Sequence, residues 1–563
     1  MSFIKHNSIF LLPILSGILL ILAYPPNNVW FLVFIALIPL FLFLTSEKID
    51  SKKAFIGGIV CGIVFMGWLF VWLLATYPFD WLGAIGAKKE AVFVLLIILY
   101  IIQTIFLGLF FGGFSWTIKR FLSGRNRLYL ILIIPVFWVI FEYIRAWGFG
   151  ILYLGKESLL GPHWTFGNLA YAFYNRPSLI QIVDLGGIYL ISFLVVLVNT
   201  GLFLLLREWK RLNFSQIIIL LLILVLIGLG WTGYGIYRLK KADFDKATDK
   251  CEYKSCEIGI VAVQTNFLSG TGLNPYSREA VFRELLKLFR DFKQERKNDA
   301  FAQNIDIVVF PEGFGLFSFA GSKTVARYLL KDFWEPGQVF LENQKIIDES
   351  KGIKSRLFYY DLEKESPLGY HDKRLLVPNG DFLPYLTQVL MAVYSFRDSF
   401  QQRFYQKGEL VEPIKTSKGA IGGTICSSIL SPEIHRQMTK EGAEVLIVVS
   451  SDAPFHGNRN LLVQNLAMSK FRAVENRRYF IQATNMGYSF ILDPKGRVIS
   501  GEFEKGNKLI FNQILLLKKK TVYNKFGDWI VFFSLIVGLF SLFLKIKLNQ
   551  QSFYGWPPEG EKD

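Results

Sequence analysis

The chain has 563 residues, of which 52% are hydrophobic, 16% aromatic and only 19% charged. Soluble globular domains carry about 25% charged residues, so a purely water-soluble protein, a disordered chain and a disulfide scaffold are all excluded. The net charge of +17 could point to nucleic acid, but many lysines and arginines stand beside apolar runs, which is the mark of membrane topology.

A helix of about 20 apolar residues crosses a bilayer core, where no water is available to backbone groups. Eight such runs are expected, near 9–25, 29–45, 54–76, 91–117, 129–145, 187–206, 215–237 and 527–546. Lys5 and His6 before the first run resemble a signal-peptide start, but seven further runs favour a retained helix. Loops 46–53, 118–128 and 207–214 share ten lysines and arginines; loops 77–90 and 146–186 hold only Lys88, Lys89, Lys156 and Arg176. Basic loops stay in the cytoplasm, so both termini are expected there and the long segment 238–526 on the outer side. The resulting division is a seven-helix membrane domain (1–237), an extramembrane domain (238–526) and a last helix with a tail (527–563). Glu142 and Arg145, near Trp138 and Trp147, are ionisable groups at membrane depth and read either as functional or as a structural pair three residues apart. The aromatic loop 146–186, with Gly161-Pro162-His163-Trp164, is expected along the lipid interface.

Within 238–526, short apolar strands alternate with helices, the pattern of an α/β layered domain. Strands are expected at 258–264, 306–310, 419–425, 445–449, 479–483 and 489–493, and helices at 277–297 and 459–477. No Gly-rich phosphate loop is present, and the histidines at 6, 163, 371, 435 and 456 lack zinc spacing; neither metal nor cofactor is expected. Cys251 and Cys256 read equally as a disulfide or as two free thiols.

Three motifs end apolar strands: Val309-Phe310-Pro311-Glu312, His371-Asp372-Lys373-Arg374 running on to Asp381, and Gly422-Gly423-Thr424-Ile425-Cys426. Singly, each reads as packing or a solvated charge. Together they supply a base, a cation and a thiol. A thiol is mostly protonated at neutral pH, so Glu312 would take its proton while Lys373 stabilises thiolate and oxyanion. A Cys–His pair through His371 or His456 is a lesser possibility.

These motifs resemble the Glu-Lys-Cys triad of the nitrilase (carbon–nitrogen hydrolase) superfamily, and with the spans the whole chain resembles the bacterial apolipoprotein N-acyltransferases. The likeness runs from Ala23-Tyr24-Pro25-Pro26 through Ser451-Asp452-Ala453, Arg472-Ala473-Val474-Glu475 and Ala483-Thr484-Asn485-Met486-Gly487 to Phe526-Gly527-Asp528-Trp529. It implies about eight spans plus an αββα sandwich facing the periplasm from the bacterial inner membrane. The implied reaction moves an acyl chain from a phospholipid, through a thioester on Cys426, to the α-amino group of a diacylated apolipoprotein. Glu312 is then the base and Lys373 the oxyanion stabiliser, in a monomer that binds membrane and not nucleic acid. Leu375, Asn379, Asp381, Ser427 and Ser428 depart from the family's usual His, aromatic, Glu, Tyr and Glu, leaving Asp381, Ser427 and Ser428 as an altered supporting shell. Phe314, Phe317, Phe382 and Tyr385 lie in apolar segments expected either to line acyl access or to be ordinary core. Rival readings are a membrane-tethered amidase on a small amide and a silent scaffold that binds lipoproteins.

Overall fold

The computed structural model describes residues 10–78, 89–122, 128–207, 212–241, 257–267, 275–297, 304–317, 328, 330, 335–348, 352–393, 405–409 and 411–553. Cys251 and Cys256 lie outside them. The membrane part comprises α1 (Leu11–Ala23), α2 (Ile38–Thr45), α3 (Ser51–Leu69), α4 (Lys89–Phe121), α5 (Leu130–Leu152), α6 (Val183–Arg207) and α7 (Phe214–Lys240). Among the described residues, six helices are long and apolar enough to cross a membrane: α3 to α7 and a last one at the chain's end. The first two of the eight expected spans are shorter. The second divides into a tight turn, Trp30–Phe34, and α2, because Pro39 in the first turn of α2 offers no N–H and crowds the carbonyl four residues back.

The loop expected along the lipid interface is largely buried instead. Glu142 accepts hydrogen bonds from Asn168 Nδ2 (2.9 Å) and Leu169 N (3.1 Å), and lies 3.8 Å from Arg145. Arg145 Nη2 donates to Phe166 O at 3.3 Å. The pair at membrane depth thus anchors the loop, and Trp164, Phe166 and Leu169–Phe173 sit inside the molecule. Contacts from His163 Nδ1 to Ser431 Oγ (2.8 Å) and from Thr165 Oγ1 to Leu430 O (2.7 Å) continue this wedge into the α/β domain.

That domain is a pair of six-stranded sheets. One has the order β12-β1-β2-β3-β4-β5 and the other β11-β10-β9-β8-β7-β6. The strands bearing the site are β1 (Glu257–Gln264), β2 (Ile307–Val309), β3 (Val339–Asp348), β4 (Gly352–Asp361), β5 (Gly369–Asp372), β6 (Ile414–Thr416), β7 (Gly419–Ile425), β8 (Val445–Ser451) and β9 (Phe480–Asn485); β10 (Phe490–Leu492), β11 (Val498–Ser500) and β12 (Lys508–Leu515) complete the sheets. Alternation sorts each strand between two faces. Ile258, Ile260 and Ala262 join Ile421, Ile425, Ile447 and Val449 in the core between the sheets. Val261 and Val263 turn outward onto Phe282, Leu285 and Phe289 of α8 (Pro275–Lys297). The second sheet's outer face packs on α10 (Pro432–Lys440), α11 (Arg459–Asn476) and the membrane helices; α9 (Tyr385–Val393) precedes these and α12 (Trp529–Phe553) closes the chain. Gly423 of β7 is glycine because a Cβ there would strike the Tyr359 hydroxyl of the facing sheet.

Candidate active site

Glu312 follows β2, Lys373 follows β5 and Cys426 follows β7, so parallel and antiparallel strands deliver them to one edge of the sandwich. Lys373 Nζ lies 3.3 Å from Glu312 Oε1 and 2.9 Å from Asp381 Oδ2. Cys426 lies within electrostatic reach of Glu312, Lys373, Asp381 and Asp452. The two sheets are stitched here by the backbone, with Glu312 N donating to Ser450 O at 3.3 Å. Cys426 has φ 50°, a left-handed conformation that costs a side-chain-bearing residue about 1–3 kcal/mol and clusters at functional sites.

Burial would push the Lys373 ammonium towards the neutral amine, but the carboxylates of Asp381 and Glu312 outweigh it and hold the cation well above the ordinary lysine range. Burial raises the Glu312 carboxyl, against the pull of Lys373 and with the push of Asp381. For Cys426, burial and then the Glu312 charge raise the thiol more strongly than Lys373 lowers it. The resting sulfur is therefore a protonated thiol that needs a base, and Glu312 is beside it. Both nitrogens of His371 are occupied, by Tyr359 OH (2.9 Å) and Glu412 O (2.7 Å), which removes it as an alternative base.

Cys426 opens onto a largely apolar cavity that is partly open to the outside. One wall comes from the membrane part, with Phe70, Trp72, Leu96, Leu99, Phe149 and Trp164; the other comes from the α/β domain, with Ser427, Ile429, Leu430, Val448 and Phe455. Phe314, Phe317, Phe382 and Tyr385 are not on it. Phe317 is core beside Phe340 and Tyr360, and Phe314 stacks on Phe310. Phe382 is buried against Gly155, while Tyr385 is half exposed on α9.

Residues 16–202 match the family described as the apolipoprotein N-acyltransferase N-terminal domain, and residues 260–517 match carbon-nitrogen hydrolase. The apolipoprotein N-acyltransferase of Geobacter metallireducens is 26% identical over 92% of both chains. That of Thermotoga maritima is 27% identical over 95% of this chain and 93% of its own. The chain belongs to the apolipoprotein N-acyltransferase family. Among solved structures, the carbon-nitrogen hydrolase of Helicobacter pylori G27 is 17% identical, with a TM-score of 0.35 over 48% of this chain and 94% of its own.

The departures from the family's pattern have local structural partners. Asn379 stands in the left-handed region, φ 62°, which Asn tolerates better than most side chains, and its Oδ1 accepts from Thr387 Oγ1 at 2.7 Å. Asp381, though a methylene shorter than Glu, reaches Lys373 because Val377 N holds its Oδ2 at 2.8 Å. Leu375 is buried and its carbonyl accepts from Ser427 Oγ; Ser428 is buried behind the nucleophile. Sequence reasoning missed Glu342, which holds the chain after Glu312 by accepting from Leu316 N and, at 2.9 Å, from Phe317 N. The available signal was the short apolar run Val339-Phe340-Leu341 leading straight into Glu342. It missed the membrane wall of the cavity too, for which a single sequence holds no signal.

Proposed function

We propose that this protein transfers an acyl chain from a membrane phospholipid, through a thioester on Cys426, to the α-amino group of the N-terminal S-diacylglyceryl-cysteine of apolipoproteins, the last step of lipoprotein maturation. The observation that carries this reading is the apolar cavity built jointly by membrane helices and the α/β domain, with Cys426 on its wall. A small-amide hydrolase has no use for such a wall. The membrane helices then have a chemical task, because the acyl donor reaches the sulfur without leaving an apolar surround.

In the first half-reaction Glu312 takes the thiol proton as sulfur attacks the ester carbonyl. Lys373, kept charged by Asp381, faces the oxyanion that forms. Glu312 then returns the proton to the departing lysophospholipid oxygen, leaving the thioester. A thioester keeps much of the ester's transfer potential, so no nucleotide is consumed. The basic-loop asymmetry supports a bacterial inner-membrane protein with its α/β domain in the periplasm. One chain supplies Glu312, Lys373 and Cys426, so a monomer suffices. Intact-mass analysis of the purified protein incubated with labelled phosphatidylethanolamine tests the reading. An acyl mass on Cys426, absent in Cys426→Ser and passed to a diacylated lipopeptide, is expected; no adduct overturns it.

A further inference from the structure

Strand β8 and the turn after it carry Val448, Ser450 and Asp452 along one side, and Gln482 stands opposite Val448 in the β8–β9 register. All four line the cavity that holds Cys426. Ser450 Oγ is engaged by Thr484 Oγ1 at 2.7 Å, and Gln482 Nε2 donates to that same oxygen at 3.0 Å. Asp452 Oδ2 and Gln482 Oε1 are different. Both residues are 3% exposed, yet neither oxygen meets a hydrogen-bond donor. Buried acceptors are normally satisfied, and an unpaired one asks what it is waiting for.

The cavity wall therefore carries two residues with an unpaired acceptor, and one of them, the carboxylate Asp452, is within electrostatic reach of Cys426. The nearby cation does not meet it: Lys373 pairs with Glu312 and Asp381 instead. Burial and then the charge of Glu312 push the Asp452 carboxyl up to about 7, so an arriving cation would hold it ionised. Gly487, lacking a side chain, leaves room for the carboxyl to lie against the backbone of the next strand's end. The complementary ligand is a donor-rich cation, and a primary ammonium fits.

We propose that Asp452, helped by Gln482, is the receptor for the acceptor's α-ammonium in the second half-reaction. This rests on the acyl-transfer reading above. The ammonium passes one proton to the Asp452 carboxylate, and the freed nitrogen lone pair attacks the thioester carbonyl carbon. The N–C bond forms and the C–S bond breaks, the second N–H proton passes through Glu312 to the Cys426 sulfur, and Asp452 returns its proton to water. The products are the amide and the free thiol. Asp452 thereby separates acceptor use from donor use, which the triad serves alike.

The test compares the unsubstituted full-length protein with Asp452→Asn, following thioester formation from phospholipid and then its discharge. Two nucleophiles are used: a diacylated lipopeptide, cationic at its α-amine, and hydroxylamine, which is neutral at the same pH. Expected for Asp452→Asn is lipopeptide discharge slowed by about 50-fold or more relative to hydroxylamine discharge of the same thioester, with a raised KM for the lipopeptide. Lipopeptide transfer within about threefold of the parent overturns the assignment. So does a parallel fall in lipopeptide and hydroxylamine discharge, which would mark a structural role. Failure of the parent itself to form a thioester overturns the acyl-transfer reading, and this assignment with it.

Discussion

Two buried charge clusters in this molecule look alike in composition and differ in completeness. At Asp184, near the start of α6, Oδ1 accepts from Tyr234 OH (2.7 Å), while Oδ2 receives Arg477 Nη2 (2.7 Å), Arg477 Nε (3.1 Å) and Arg238 Nη2 (3.1 Å). That carboxylate is saturated, and it ties the membrane helices to the domain. Around Cys426, by contrast, one lysine serves two carboxylates, the cysteine itself is in a left-handed conformation, and two cavity-lining residues each keep a buried oxygen without a donor. Buried charge alone does not distinguish a joint from a site. Unspent hydrogen-bonding capacity beside a cavity does.

Substitutions can break or sharpen this contrast. The largest effect is expected at the nucleophile, where Cys426→Ala should give no acyl adduct by intact mass. Glu312→Gln and Lys373→Ala should each slow thioester formation by about 10³-fold, the scale of a lost base or oxyanion partner. Asp381→Asn should cost about 10–100-fold, because Lys373 loses its shortest ion pair but keeps Glu312; an unchanged rate would show that Asp381 does not hold the lysine in its working state. At the saturated cluster the direction reverses. Asp184→Asn leaves two guanidinium groups short of their counter-charge and should lower stability by about 3–5 kcal/mol, read as Tm, with the rate per folded molecule preserved. A fall in rate at unchanged Tm would erase the distinction between the clusters.

The smallest effect concerns Glu342, whose carboxyl burial pushes up to about 7. An unfolded glutamate ionises near about 4.3, so between these values the folded chain binds the extra proton and stability falls as pH rises. Glu342→Gln should flatten that decline, seen as a Tm that changes by a few degrees less across the interval. An unaltered pH slope would show that Glu342 does not carry it.

Much of this was legible in the chain itself. Glu312, Lys373 and Cys426 each end an apolar strand, and strand ends are where layered sheets collect chemistry. Helices 277–297 and 459–477 emerge as Pro275–Lys297 and Arg459–Asn476, since their helical periodicity is carried by local sequence. The hairpin of β3 and β4 was less visible. Its outer half, where Gln344 pairs with Arg356, Lys345 with Ser355, Ile346 with Lys354 and Ile347 with Ile353, mixes polar and apolar residues on both faces, so alternation fades. The aromatic loop was misjudged for a related reason: Trp164 and Phe166 suit a lipid interface and a protein interior equally, and only Glu142 and Arg145 chose between them.

From sequence alone came the membrane helices, the layered domain and the three candidate side chains Glu312, Lys373 and Cys426, because hydrophobic period and strand-end chemistry are local properties. Tertiary structure alone decided that Trp72 and Leu99 line one cavity with Cys426, that Asp381 joins Glu312 on Lys373, and that Asp452 Oδ2 is left without a donor. Those are relations between residues far apart in the chain. Which polar group is satisfied, and which is kept open, is settled only when the sheets and helices close on one another.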